Sequence, residues 1–572
     1  MRVGILRHGP DLSLYVGEML QTWGLTLYDF VDADGLDKLD PAAMPVLLCP
    51  THETGGRDTA ALLTYAQRGG TVVCFLPKGE LAAAAGLVYQ SEKVGPLRLR
   101  SSFYPVSGLG GELLPIVGPA ATYACQSAAH TIAYLSHPGR YHDESVGAVQ
   151  CPQERGRIVA FAFDLPLCVL YLRQGDPARA EYIPAGDGCA RPSHMAADLG
   201  PSDAAWVPFA DLLARFLVDL VRRYLPAPVP LFSHLPDMAP GILLYSGDED
   251  GAEVAANEDE FAAVHQAGGR MNLYIIPDRT LSTRQDAMRY AQHHDLGPHP
   301  NLRPLDGEPI AARLAQFRQH IELFQEHFGL PARSLRNHCT AWAGYLEPVE
   351  IMEELGVGMD GNYFSGTYMR DRMAAPYAGF GAAMPMRFCA PEGRLFNVFQ
   401  QHTHLSDDVI FGDADYSYKL SPQNFAPMSA RILTDVATRF HTPYTVCIHP
   451  GNWVKYSQDQ GRALLDHASE RDLPIWSFDQ WLNFWEARHT WRFIQVFWDG
   501  ATLQCSATGD KLNSDLRLVL PLHFEDKDLN EVLIGGKPAP WQPVQRYHER
   551  IALIDVRGYG LEFTLTARYL KR

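Results

Sequence analysis

The sequence predicts a multi-domain α/β protein, with a doubly wound α/β unit over residues 1–225, a central (β/α) barrel over 226–490 and a small β-sandwich over 491–572. Three observations predict it. Strand and helix signals alternate from the first residues to about residue 478. A proline-rich stretch from Tyr224 to Pro236 interrupts them, and from about Trp491 the pattern changes to short strands divided by turn signals. At 572 residues the chain is also too long for one core, given roughly 100–200 residues per domain.

In the first unit, residues 2–6 read as a strand, 14–23 as a helix, 46–49 as a buried strand, and 58–67 as a helix stopped by Gly69 and Gly70 before the strand 71–76. The four prolines at 226, 228, 230 and 236 favour extended backbone and mark a linker. In the second unit, 241–245 and 271–276 read as buried strands, and Ser282 with Gln285 forms a capping box. Ile310, Leu314, Phe317, Ile321, Phe324 and Phe328 give one apolar helix face ended by Gly329. Helices at 348–355, 431–440 and 460–468 and strands at 445–449 and 475–478 continue the alternation, which implies parallel strands. In the third unit, strands at 493–498, 516–520, 531–534, 551–556 and 561–569 are separated by turns such as Asp499-Gly500 and Gly535-Gly536.

With 46% hydrophobic and 20% charged residues the composition is globular. A formal net charge of −17, with no basic cluster interleaved with aromatics, excludes nucleic acid as a partner. There is no signal-peptide core in MRVGILRHGPDLSLY and no apolar run near the roughly 18 residues of a membrane span, so a cytoplasmic protein without membrane partners is expected. The ten cysteines include no CxxC pair and several lie in apolar runs, as expected of reduced, structural thiols. Whether the chain forms a homo-oligomer is left open.

Chemistry-bearing residues concentrate between Asp248 and His449. The strand Gly241-Ile-Leu-Leu-Tyr runs into Ser246-Gly-Asp248-Glu249-Asp250-Gly251, placing three acids at the C-terminal edge of a parallel sheet, where ligands bind. Adjacent carboxylates repel, so a cation among them is expected, and a divalent metal is the economical one. Then follow His294-Asp-Leu-Gly-Pro-His299-Pro-Asn-Leu-Arg303, Ser334-Leu-Arg336-Asn-His338-Cys339, Met359-Asp360-Gly-Asn362-Tyr363-Phe364, the pair His402 and His404 with Asp407 and Asp408 after it, and Thr445-Val-Cys-Ile-His449-Pro-Gly-Asn-Trp453.

In their order and their placement near strand ends, five of these segments resemble the motifs of the polysaccharide deacetylases, the NodB homology group of carbohydrate esterase family 4. The resemblance covers about residues 238–485. It implies that Asp248 is the general base, Asp250 a metal ligand with Glu249 as its rival, His299 a ligand and His449 the acid that protonates the leaving group. The second histidine of the family's second motif is replaced by Arg303. A variant branch with a His-Pro-Asn motif is the nearer likeness; it implies that His338 supplies the missing imidazole and Arg336 orients the base. Asp360, Asn362, Trp342, Tyr345, Tyr363, His404 and Trp453 would line a sugar pocket, with a backbone N–H near Tyr345 helping to hold the oxyanion. His402 and His404 are a pocket rim in preference to a second metal site; His293 and His294 read as surface or supporting groups. Zinc suits the mixed histidine and aspartate set, and manganese, cobalt or nickel could also bind.

The expected activity is removal of an acyl group, N-acetyl above all, from a carbohydrate. The rivals are a glycoside hydrolase using Asp248 or Asp250 with Glu347, which needs no metal, and a carbohydrate-binding protein that has lost the chemistry. The first unit resembles class I glutamine-amidotransferase-like domains in YAQRGGTVVCFLPKGE and GRIVAFAFDLP. Cys74 lacks the flanking glycine of a nucleophile elbow, so a structural or glycan-contacting role is expected there.

Overall fold

The computed structural model describes residues 1–9, 11–50, 54–101, 113–196, 206–364 and 381–572 of a mixed α/β protein. Residues 3–6 of Val3–Arg7, all of Val46–Cys49 and residues 72–75 of Thr71–Phe75 are apolar and buried, as parallel strands covered by helices on both faces must be. They lie in a nine-stranded sheet whose parallel half runs Tyr28–Asp32, Val3–Arg7, Val46–Cys49, Thr71–Phe75, Arg157–Phe161. The sheet then continues antiparallel through Arg140–Pro152, His130–His137, Leu97–Ser101 and Leu114–Ile116, an extension for which no expectation had been formed.

The central strands do not close into the expected barrel; they fall in two sheets. The first orders Asp295–Pro298, Asn272–Ile275, Ile242–Asp248, Pro443–Cys447 and Leu405–Ser406, all parallel, with Ile475–Trp476 beside the N-terminal half of Ile242–Asp248. The second holds Ser334–Leu335, Met359–Asp360, Leu395–Gln400 and Met386–Cys389. Several of these strands are two residues long, too short for a continuous ladder. Side chains span the gap instead: Ser334 Oγ lies 3.0 Å from Tyr274 OH and donates to Asp479 Oδ1 at 2.7 Å, and Asn272 Nδ2 donates to that carboxylate at 3.2 Å.

Two local expectations shift. The capping box sits one residue later, on Thr283 and Asp286, opening the helix Arg284–Tyr290. Residue 478, expected at the end of a strand, begins the helix Phe478–Thr490 behind a second box formed by Ser477 and Gln480, a Ser-x-x-Gln pattern legible in the sequence. The long helix Ile310–Phe328 ends as expected at Gly329, which takes a left-handed φ of 68°.

The C-terminal residues form two antiparallel sheets, one of them Arg492–Trp498, Thr502–Thr508, Glu562–Lys571, Lys527–Ile534 and His523–Phe524. The other contains Arg517–Pro521, Glu549–Asp555, Trp541–Arg546 and, unexpectedly, Leu231–Phe232 from the proline-rich stretch. That stretch is therefore docked: Phe232 N–H donates to Gly24 O, and a Cβ on Gly24 would stand 2.1 Å from Phe232 O. Buried Arg488 ties the segments together by donating to the carbonyls of Ser233, Gln21, Thr22 and Phe232. Arg173 does the same through Asp211, Met384 O and Gln400 O. Among the described residues, no helix is long and apolar enough to cross a membrane, and all ten cysteines are unpaired with one another.

Candidate metal centre and acid–base pairs

The residues that converge all stand just beyond the C-terminal ends of parallel strands. Asp248 ends Ile242–Asp248, His299 follows Asp295–Pro298, Arg336 and His338 follow Ser334–Leu335, Asp407 follows Leu405–Ser406 and His449 follows Pro443–Cys447. Parallel strands deliver these loops to one edge, which is why residues up to 201 positions apart meet. Asp250 turns its carboxylate into the cluster from a left-handed conformation, φ 51°, just before Gly251 at φ 76°. That backbone region is costly for most side chains, though Asp tolerates it better than most.

His299 Nε2 lies 3.2 Å from Asp250 Oδ1 and 3.8 Å from Asp248 Oδ2, and His338 Nε2 lies 3.8 Å from the same Asp250 oxygen. The opposite nitrogen of each ring is engaged: His299 Nδ1 with Arg336 O at 2.6 Å, His338 Nδ1 with Asn301 Oδ1 at 3.1 Å. A carbonyl oxygen can only accept, so His299 carries its proton on Nδ1; the Asn301 amide oxygen fixes His338 likewise. Both Nε2 lone pairs then face carboxylates. His299 Nε2 is buried and makes no hydrogen bond although Asp250 Oδ1 is within reach. Two imidazole lone pairs within 3.8 Å of one anionic oxygen are, by the chemistry of the donors, a set of the kind that holds a divalent metal. Burial, with His299 adding to it, pushes His338 down to about 4, leaving its ring neutral and able to ligate at neutral pH.

Glu249, the rival ligand, turns away: its Oε1 accepts from Asn257 Nδ2 at 2.9 Å and Ser282 Oγ at 2.7 Å, and burial raises its pKa. Arg303, which stands where the family has a histidine, bonds to Asp306.

Asp248 is gripped by Arg336, whose Nη2 donates to Oδ1 at 2.7 Å while Nε lies 3.1 Å from each carboxylate oxygen. Ser246 Oγ and Thr403 Oγ1 hold the rest of the guanidinium, which also lies over the Tyr274 ring. Burial alone would raise Asp248, and the Arg336 charge, aided by the cationic His449, more than reverses it, so this carboxylate is ionised. Opposite, His449 Nδ1 donates to Asp407 Oδ1 at 2.5 Å, and buried Asp407 is itself fixed by Ser457 Oγ and the His449 N–H, each at 3.1 Å. Burial opposes charge on His449, yet the Asp407 carboxylate raises its pKa well above the ordinary value. Its Nε2 points to Asp248 Oδ2 at 3.9 Å and Asp250 Oδ2 at 3.7 Å.

Among the described residues, the groups of three ligand-type side chains whose atoms all lie within 4.8 Å of one another are Asp248–Cys447–His449 and Asp407–Asp408–His449; the Asp250, His299 and His338 donors are spread more widely. Both run through His449, whose protonated ring offers no lone pair, and burial holds the Cys447 thiol protonated. In the sequence Asp407 only follows the histidine pair; its contact with His449 has no local sequence signal.

The expected sugar-lining residues are placed differently. Trp342, Tyr363 and Trp453 are buried packing groups; the indole N–H of Trp342 donates to Tyr345 O and that of Trp453 to Asp259. Asp360 and Asn362 are buried beneath the Arg336–His338 turn, where Asn362 Nδ2 donates to Asp360 and Asn362 Oδ1 accepts the Asn337 N–H. His404 stacks on Tyr444 and spends both ring nitrogens, on Ala382 O and the Thr445 N–H, so it has none for a ligand; His402 is spent likewise on Arg173 O and the Ala382 N–H. The N–H of half-buried Tyr345 donates to Glu347 Oε2 at 2.6 Å and is not free for an oxyanion, while Glu347 is occupied in that contact at the head of its helix.

No family model and no curated protein matches the chain. Among solved structures it is similar to Agd3, described as a novel carbohydrate deacetylase, at 10% identity and a TM-score of 0.39 over 100% of this chain and 99% of that one. Parts of it are similar to the exo-β-1,4-mannosidase Op5Man5 from Opitutaceae bacterium strain TAV5 (11% identity, TM-score 0.24, 29% of this chain and 31% of that one). A β-galactosidase from Bacillus circulans sp. alkalophilus is similar to a comparable extent, at 12% identity and a TM-score of 0.22 over 28% of each chain.

Proposed function

We propose that the chain is a metal-dependent hydrolase that removes an acyl group, N-acetyl in the first instance, from a carbohydrate. The observation that carries this reading is the meeting of the His299 and His338 Nε2 atoms at Asp250, flanked by a carboxylate held by arginine and an imidazole held by a carboxylate. The substrate class comes from the likeness of the five motifs to the deacetylases.

Asp250, His299 and His338 would hold the metal. A divalent ion bound there supplies Lewis acidity, polarising the acyl carbonyl and bringing the pKa of water near it to about 7. Asp248, ionised and fixed by Arg336, takes a proton from the attacking water through Oδ2, the oxygen less engaged by the guanidinium. His449, kept cationic by Asp407, gives its Nε2 proton to the departing amine or alcohol. The 3.9 Å between His449 Nε2 and Asp248 Oδ2 lets both serve one reacting carbon. The proton gained by Asp248 then returns through solvent to His449, and both are restored.

The test is elemental analysis of the purified chain, followed by acetate release from a panel of N- and O-acetylated saccharides. One equivalent of metal and chelator-sensitive acetate release are expected. A chain that neither carries nor takes up metal, and releases nothing with zinc added, overturns the reading.

A further inference from the structure

The first unit encloses a cavity that the hydrolytic scheme leaves unused. Its volume is about 660 Å³, within the roughly 300–1,000 Å³ typical of small-molecule sites. Leu76, the residue after the strand Thr71–Phe75, lines it, so it lies beyond the C-terminal edge of the parallel half of the nine-stranded sheet. Open α/β sheets hold their ligands outside that edge. Leu76 stands there in a left-handed conformation, φ 47°, which is costly for a leucine, and its N–H donates to Phe161 O at 2.8 Å.

The other walls come from the paired strands Leu87–Glu92 and Ala121–Cys125 and from the loops 93–96 and 116–120. Tyr89 and Tyr123 meet edge to face with ring centroids 6.0 Å apart, and Tyr123 OH is committed to Pro77 O at 2.8 Å. With Ile116 and Val117 they give apolar walls, and Tyr89 and Val94 are exposed where the cavity opens. One further wall residue is Lys93, only 8% exposed. Its Nζ donates to Ser145 Oγ at 2.8 Å and to Asp143 O at 3.2 Å, both uncharged acceptors. An ammonium has three N–H bonds, so one is left, and among the described residues Lys93 forms no ion pair. Lys78 and Glu92 line the cavity with one charge of each sign and offset, so Lys93 sets its polarity. A buried ammonium without a counter-charge is unfavourable, and an anion in the cavity would supply one.

We propose that this cavity is a binding site for a small organic anion, a carboxylate or phosphate carried on an apolar ring. The free N–H of Lys93 takes the anionic group in a charge-assisted hydrogen bond, and the ring lies against Tyr89 and Val117. None of its lining residues belongs to the metal centre, so the site holds whichever acyl group that centre removes.

The experiment is isothermal titration calorimetry on the full-length chain with 2-naphthoate, 2-naphthyl phosphate and the neutral 2-naphthamide. At least one of the two anions should bind roughly tenfold or more tighter than the amide, and the tighter of them names the head group. Lys93→Met should abolish that preference. Val94→Asp, at an exposed position, should weaken the anions and leave the amide unchanged, because it sets a like charge at the opening. Anion binding should persist in Asp250→Ala, which separates this cavity from the metal centre. Should Lys93→Met not fold, Val94→Asp and the acid-to-amide ratio of the wild type decide. Equal affinity for anions and amide, anion binding unchanged by Lys93→Met and Val94→Asp or lost in Asp250→Ala, or no binding of any probe at millimolar concentration overturns the proposal.

Discussion

Replacing Asp407 by asparagine separates proton donation from the rest of the chemistry. The side chain keeps its shape and an oxygen for His449 Nδ1, but the charge that holds the ring protonated is lost from a fully buried position 2.5 Å away. A hydrogen bond to a charged group contributes about 1.5–3 kcal/mol, which at about 1.4 kcal/mol per decade is a loss of roughly 10- to 150-fold in kcat. Its upper end reaches the lower part of the roughly 10²–10⁴ that a general acid typically provides, as expected where the ring loses its charged partner and is itself retained. The sign with pH follows from the raised pKa of His449: activity needs the protonated ring, so it falls as pH rises through that pKa, and Asp407→Asn moves the fall to lower pH. Acetate release should be measured against pH on an acetamide substrate and, in parallel, on 4-nitrophenyl acetate, whose leaving group departs without a proton. The amide rate should collapse and the aryl ester rate change little. Equal losses on both substrates, or an alkaline limb that stays in place, would refute the assignment of His449 as acid.

Other predictions follow from the same contacts. Asp248→Asn should retain metal and lose turnover, and should cost up to about 3 kcal/mol of stability because the Arg336 guanidinium is left buried without a counter-charge; an unchanged denaturation midpoint contradicts this. Asp250→Ala should lose the metal in elemental analysis while Glu249→Gln keeps it, and the reverse pattern would exchange the two assignments. Burial, with Asp295 adding to it, lifts buried Asp479 to about 7, above its unfolded value, so the folded state binds the extra proton and this group's stabilisation is lost as pH rises from about 4 through about 7. Asp479→Asn should therefore be more stable than wild type at pH 8, by at most about 4 kcal/mol, and little different at pH 4, as read from urea midpoints.

The strand and helix alternation, the acidic turn after Ile242–Asp248 and the histidines after later strand ends were all legible in the sequence, because period, glycine stops and strand-end polarity are local properties. The two separate central sheets were not, since Ser334–Leu335 and Met359–Asp360 are too short to signal their partners. The proline-rich stretch read as a linker because prolines report local backbone only; its pairing with residues 518–519 is decided nearly 300 positions away. The aromatic residues near the motifs were read as sugar platforms, but composition cannot tell an indole that faces a pocket from one that fills a core, and Trp342 and Trp453 fill it.

What the sequence by itself determined is which side chains can carry charge, ligate or donate, and that they stand at strand ends. The contact of Arg336 with Asp248 was already expected from the resemblance, and only the tertiary structure decided the rest of the pairing: that Asp407 and not a neighbour in sequence holds His449, and that Asp250 in place of its rival Glu249 turns toward the two imidazoles. The physical reason is that protonation state and ligand geometry depend on separations of 3–4 Å across loops distant in the chain, and those separations are set by sheet register and buried packing, not by local residue pattern.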